Sequence, residues 1–103
     1  MENAKEIAEL LKVLANENRL LIVCFLSESP MTVSELHSRI SKLTQSAISQ
    51  HLAILKAHKI LESNKCGLSI TYSILDDRIR NVIAVLKENY CKDHLDNFQE
   101  EKA

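Results

Sequence analysis

Two sets of residues in this 103-residue chain have types and spacings that could do chemistry. The first lies in Thr44-Gln45-Ser46-Ala47-Ile48-Ser49-Gln50-His51-Leu52-Ala53-Ile54-Leu55-Lys56. Ala47, Ile48, Leu52 and Leu55 recur at helical spacing, so one stripe of a helix here is apolar and faces a core. The opposite stripe carries Gln45, Ser46, Ser49 and Gln50, neutral side chains that both donate and accept hydrogen bonds. A merely solvated face usually mixes Glu and Lys, whereas a face set against base edges in a DNA groove needs short hydrogen-bonding groups without negative charge. The second set is sulfur: Cys24, Cys66 and Cys91. An odd number with no close pair does not describe a disulfide framework, which leaves thiols, metal ligands or redox groups as their chemistry.

The surrounding elements must position those groups. One Gly and one Pro in the whole chain leave little material for turns, which favours helices with short connections over a β-sandwich. Hydrophobic residues make up 46% with no Trp and four Phe or Tyr, so the core is expected to be aliphatic. A first amphipathic helix is read over Glu2 to Ala15, with Ile7, Leu10, Leu11 and Leu14 on one side. Asn16 is placed to cap a second helix from Glu17 to Glu28, which contains the apolar run Leu20 to Leu26 and should be central. Ser29-Pro30-Met31 ends it. Thr32-Val33-Ser34-Glu35 is a capping-box pattern that opens a short third helix through Ile40. A turn at Ser41-Lys42-Leu43 and a cap at Thr44 lead into the polar-faced helix, and two helices joined so tightly form a helix-turn-helix. Ile60 to Ser63 and Leu68 to Ile74 then read as strands joined at Asn64-Lys65-Cys66-Gly67, a wing. Asp76-Asp77 opens a long last helix with Ile79, Val82, Ile83, Leu86 and Tyr90 in one stripe, widened by Val85. The fold class is therefore mainly α with a small β-hairpin, a winged helix-turn-helix of five helices plus wing in a single domain over 1–103. Its first and last helices have more apolar surface than one small domain can cover and are expected to build a homodimer.

Charge agrees with this layout. The net charge is −1, but from Arg39 to Lys65 there are five bases and one acid, while the remainder holds 8 bases and 13 acids. Phosphate attraction is concentrated around the polar-faced helix. Arg19, Lys42, Lys56 and Lys65 are the expected phosphate contacts, and His51 either touches DNA or packs within the helix-turn-helix. His37 and His58 read as surface residues. No apolar run approaches the roughly 20 residues of a membrane span, so a cytoplasmic location is expected. No cofactor is expected, and an enzyme is disfavoured: the chain has no phosphate-cradling glycine loop and no nucleophile with its base.

Leu11-Lys12-Val13-Leu14-Ala15-Asn16-Glu17-Asn18-Arg19-Leu20, Ser46-Ala47-Ile48-Ser49-Gln50-His51-Leu52 and Thr71-Tyr72-Ser73-Ile74 together make the sequence resemble the ArsR/SmtB family of winged-helix transcriptional repressors. The resemblance covers nearly the whole chain and implies a homodimer that binds double-stranded operator DNA and releases it when an inducer binds or reacts. Two common metal sites of that family lack their ligands here. Val33-Ser34-Glu35-Leu36-His37 has no paired cysteines, Asp77-Arg78-Ile79 lacks the first His of an Asp-x-His pair, and Tyr90 and Asp93 stand where a second pair would be. Cys24 and Cys91 instead look like the HlyU/BigR/SqrR branch, whose two cysteines sense reactive sulfur or oxidants. Lys87 lies one helical turn before Cys91 as a source of positive charge, opposed by the nearby Glu88, and Cys24 sits among aliphatic residues that favour the thiol, so Cys91 is expected to attack first and Cys24 to resolve. Two other readings stand beside it: a metal-responsive repressor using Cys91 and His94, and a winged-helix module that binds protein instead of DNA. For Cys24 the plainer reading is a core residue, and for Cys66 an incidental thiol in the wing.

Overall fold

The computed structural model describes residues 3–91, the last by its backbone alone. Along the chain run α1 (Ala4–Leu14), α2 (Glu17–Leu26), β1 (Met31–Thr32), α3 (Val33–Arg39), α4 (Gln45–Ala57), β2 (Leu61–Cys66), β3 (Ser69–Ile74) and α5 (Asp77–Leu86), which continues as a π-helical turn over Lys87–Cys91. Local side-chain chemistry sets where the helices begin. The Asn16 side chain accepts from the amides of Asn18 and Arg19 at 3.1 and 3.0 Å, satisfying two of the donors that a helix start leaves unpaired. Thr32 and Glu35 form the reciprocal capping box, with bonds of 2.9 and 3.1 Å. Thr44 accepts from the Ala47 amide at 3.0 Å, and Asp76 from the Arg78 amide at 2.9 Å.

The core is aliphatic. Ile22, Val23 and Leu26 of α2, Leu36 of α3, Ile48, Leu52 and Leu55 of α4, Ile60 and Leu61 at the entry to β2, and Ile83 of α5 are buried together, and no polar or charged residue among those described is buried with them. Helix α2 therefore lies at the centre, as an element apolar all round must. The buried stripe of α4 is anchored on this core, which determines by elimination which stripe faces outward.

The sheet has one more strand than the sequence suggests. Its order is β1-β3-β2, all antiparallel, with Met31 opposite Tyr72 and Thr32 opposite Thr71. A two-residue strand has no periodicity to read, and here Pro30 simply delivers an extended segment to the open edge of β3. The hairpin also reaches further than expected. Pairing continues out to Cys66 opposite Ser69, so the turn is Gly67-Leu68 and not Asn64 to Gly67. Gly67 has φ +64°, and no other residue of the turn is left-handed, as a type II′ hairpin requires. Asn64 and Lys65 look like loop residues because both faces of the ribbon are solvated there; backbone bonding to β3 makes them strand.

Candidate nucleic-acid interface

Helix α4 is 13 residues long, about 20 Å, and contains no Asp or Glu. Gln45, Ser46, Ser49 and Gln50 are all exposed: Ser46, Ser49 and Gln50 turn away from the buried Ile48 and Leu52, and Gln45, one turn before Ile48, is exposed at the first position of the helix. Seating α4 on the core thus presents an uncharged strip of amides and hydroxyls, next to a helix N-terminus whose dipole favours anions. A strip of this width and chemistry can make bidentate amide contacts to adenine and hydroxyl contacts to any base or phosphate.

Around the strip the expected cations take different positions. Lys42 is exposed in the turn before α4, its ammonium 4.0 Å from the Glu17 carboxylate. Lys65 is exposed on β2 near the wing tip. Lys56, in the last turn of α4, donates to the Ser63 hydroxyl of β2 at 2.7 Å, so it couples the helix to the wing as well as contributing charge. Arg19 is half-buried and its Nε donates to the carbonyl of Val13 at 2.7 Å, which ties the start of α2 to the end of α1. His51 is half-buried in α4, with Nδ1 shielded from solvent and without a hydrogen-bond partner. Burial, and secondarily the Arg19 charge, hold its pKa below the usual histidine value, so the ring is neutral at neutral pH. His37 is half-buried, while the exposed His58 places its Nδ1 2.9 Å from the carbonyl oxygen of Ile54.

One cation was not singled out by sequence reasoning. Lys59 follows α4 with φ +60°, the only non-glycine residue among those described in that region. Its amide donates to Lys56 O and that of Ile60 to Leu55 O, both at 3.0 Å, the paired bonds of a Schellman helix ending. Nothing in residue type announces this, because the position normally favours glycine.

Of the sulfur groups, Cys24 is half-buried on α2 and packs against the core, and Cys66 is exposed at the end of β2. The Cys91 side chain and all of His94 lie outside the described residues. Among the described residues there is no cluster of three or more His, Cys, Asp or Glu arranged to hold a metal.

Residues 16–63, from the α2 cap to the first half of the wing, match the model of the bacterial regulatory protein, arsR family. The chain is 40% identical over 89 residues to the HTH-type transcriptional regulator YgaV of Escherichia coli, covering 86% of this chain and 90% of that protein. It belongs to the ArsR family. This ArsR-family chain is also 36% identical over 91 residues to the transcriptional activator HlyU of Vibrio cholerae, covering 88% of this chain and 83% of that one. Its fold is similar to that of reduced HlyU from Vibrio cholerae (TM-score 0.82, 37% identity, 87% of this chain and 94% of that one). It is likewise similar to the repressor BigR from Xylella fastidiosa (TM-score 0.81, 31% identity, 87% and 91%). The ArsR-family regulator is thus a DNA-binding transcription factor with a winged helix-turn-helix, and not an enzyme. No helix among its described residues is long and apolar enough to cross a membrane.

Proposed function

We propose that this ArsR-family regulator is a cytoplasmic homodimeric repressor that reads operator DNA with α4 and releases it when Cys24 and Cys91 become linked. The observation that carries the DNA reading is the exposed, acid-free strip Gln45, Ser46, Ser49 and Gln50 on a helix whose other side is fully buried. Arg19, Lys42, Lys56 and Lys65 meet phosphates around it, and His51 stands on the same helix. The whole chain, 1–103, acts as one domain.

Dimerisation through the first and last helices is supported by the apolar surface they leave in water. Leu11 of α1 is 53% exposed, Val85 of α5 is 56% exposed, Tyr90 is 73% exposed, and Ile7, Val82 and Leu86 add to them. A two-fold pair hides this surface and sets two reading helices against a palindromic site.

The thiol step is supported by likeness to HlyU and BigR and by the half-buried position of Cys24 in α2. Two thiols give up two electrons and two protons as the S–S bond forms. With hydrogen disulfide as oxidant, its own S–S bond breaks and two molecules of hydrogen sulfide leave; with a peroxide, the products are an alcohol and water. A bridge between α2 and the last helix shifts the dimer helices against the reading heads.

Fluorescence anisotropy with a palindromic duplex tests both parts. The reduced protein should bind with a steep salt slope, and polysulfide should weaken binding by roughly 10- to 100-fold. Cys24→Ser and Cys91→Ser variants should bind and fail to respond. Release from DNA by either variant on polysulfide treatment would falsify the thiol mechanism, and the absence of salt-dependent binding would remove the DNA reading.

A further inference from the structure

One side chain joins two helix ends that lie about sixty residues apart in sequence. Lys87, at the end of α5, donates from its ammonium to the carbonyl oxygen of Cys24 at 2.9 Å, to the Ser27 hydroxyl at 3.0 Å and to the Glu28 carboxylate at 3.2 Å. An ammonium has three donors, and all three are used. The Ser27 hydroxyl itself donates a hydrogen bond to the same Cys24 carbonyl at 2.6 Å.

The need for this cluster originates in α2. A helix leaves its last carbonyls unpaired and its C-terminus partly negative, and α2 has no basic residue of its own in its last turn. Lys87 supplies both donors and charge from another element. Its side chain is only 19% exposed, so these charge-assisted bonds are shielded from the water that weakens surface ion pairs. The backbone atom it grips belongs to Cys24. Four residues further on, across the π-helical turn Lys87–Cys91, the chain reaches Cys91. Single π turns of this kind recur at functional sites.

We infer that Lys87 is a positioning residue for the thiol pair: by clamping the end of α2 to the end of α5 it holds the segments carrying Cys24 and Cys91 in the register in which a bridge forms. This rests on the reading of those two cysteines as the reacting pair. The clamp lowers the entropy lost on closing a loop between residues 24 and 91, so it favours the bridged form without changing either thiol. Its ammonium is engaged on α2, so the role is placement and not activation of the Cys91 thiol.

The test equilibrates the full-length protein with glutathione buffers, followed by acid quench, alkylation and mass spectrometry. The exchange balances: two protein thiols and one glutathione disulfide give one protein disulfide and two glutathiones. Lys87→Met should lower the equilibrium constant for the Cys24–Cys91 bridge roughly tenfold, about 30 mV in potential. Lys87→Arg should restore most of it. Alkylation rates of the remaining thiol of the pair, read at its own peptide apart from the exposed Cys66 in Cys24→Ser or Cys91→Ser backgrounds, and DNA affinity of the reduced protein, should not change with Lys87→Met. An equal or larger bridging constant in Lys87→Met overturns the inference, as does a changed alkylation rate. Should Lys87→Met fail to fold, a Ser27→Ala, Glu28→Ala double variant removes two of the three acceptors and should weaken bridging several-fold; an unaltered constant there overturns it equally. If the wild type never bridges, the thiol reading falls and the clamp's role with it; if the wild type bridges and Lys87→Met matches it, only the clamp falls.

Discussion

Lys56 in the last turn of α4 reaches 2.7 Å to the hydroxyl of Ser63 on β2, so α4 and the wing are linked by a side-chain bond as well as by the chain between them. The lysine brings a charge that the serine does not. Lys56→Met should therefore lower the slope of log affinity against log salt by about one counterion, the signature of a lost phosphate contact. Ser63→Ala should leave that slope intact and weaken binding only about two- to fivefold, through a looser wing. Equal slopes in both variants would mean that Lys56 serves the wing alone.

Lys59 occupies a left-handed backbone position that costs an L-residue roughly 1–2 kcal/mol. Glycine removes that cost and returns part of it as chain entropy. Lys59→Gly should raise stability by about 0.5–1 kcal/mol, a few degrees in Tm, in a thermal melt of the reduced protein. An unchanged or lower Tm would show that the lysine stem makes contacts worth as much as the strain.

His51 gives the fold a pH dependence with a definite sign. Burial and the nearby Arg19 charge lower its folded pKa, so between that value and the ordinary value of about 6.5 the unfolded chain binds a proton that the folded one refuses. Stability is complete above the ordinary value and is lost as pH falls through that window. His51→Gln should flatten the Tm profile between about pH 7.5 and pH 5.5. Asp76, whose carboxyl is held low by hydrogen bonds from Arg78, titrates below that window and is not expected to obscure it. A wild-type profile as flat as the variant's would show that the ring is protonated in the fold at no cost.

Val85 stands more than half exposed on α5, which is costly unless another surface covers it. Val85→Glu places a charge in the proposed dimer contact and should yield a monomer by sedimentation velocity, with at least tenfold weaker binding to a palindromic duplex. A wild type that sediments as a monomer, or a variant that remains a dimer, would remove α5 from the interface.

Much of this molecule is legible in its sequence because the chemistry involved is short-ranged. Asn16, Thr32, Thr44 and Asp76 each cap the helix that follows, and each bonds an amide two or three residues away, a distance the chain itself encodes. The same holds for the polar strip of α4. Once Ile48, Leu52 and Leu55 are known to be buried, helical geometry puts Ser46, Ser49 and Gln50 outside, while Gln45, one turn before Ile48, is exposed at the first position of the helix. Tertiary structure decided the rest. Pairing of Met31 and Thr32 with β3, the turn of Arg19 back onto Val13, the left-handed Lys59 and the reach of Lys87 to Cys24 all depend on where a distant or folded-back segment lies. Residue type and periodicity state what a side chain can bond to within a turn or two. Which of several eligible partners it meets across the core is settled only when the helices pack, because packing determines the few ångströms over which a hydrogen bond exists.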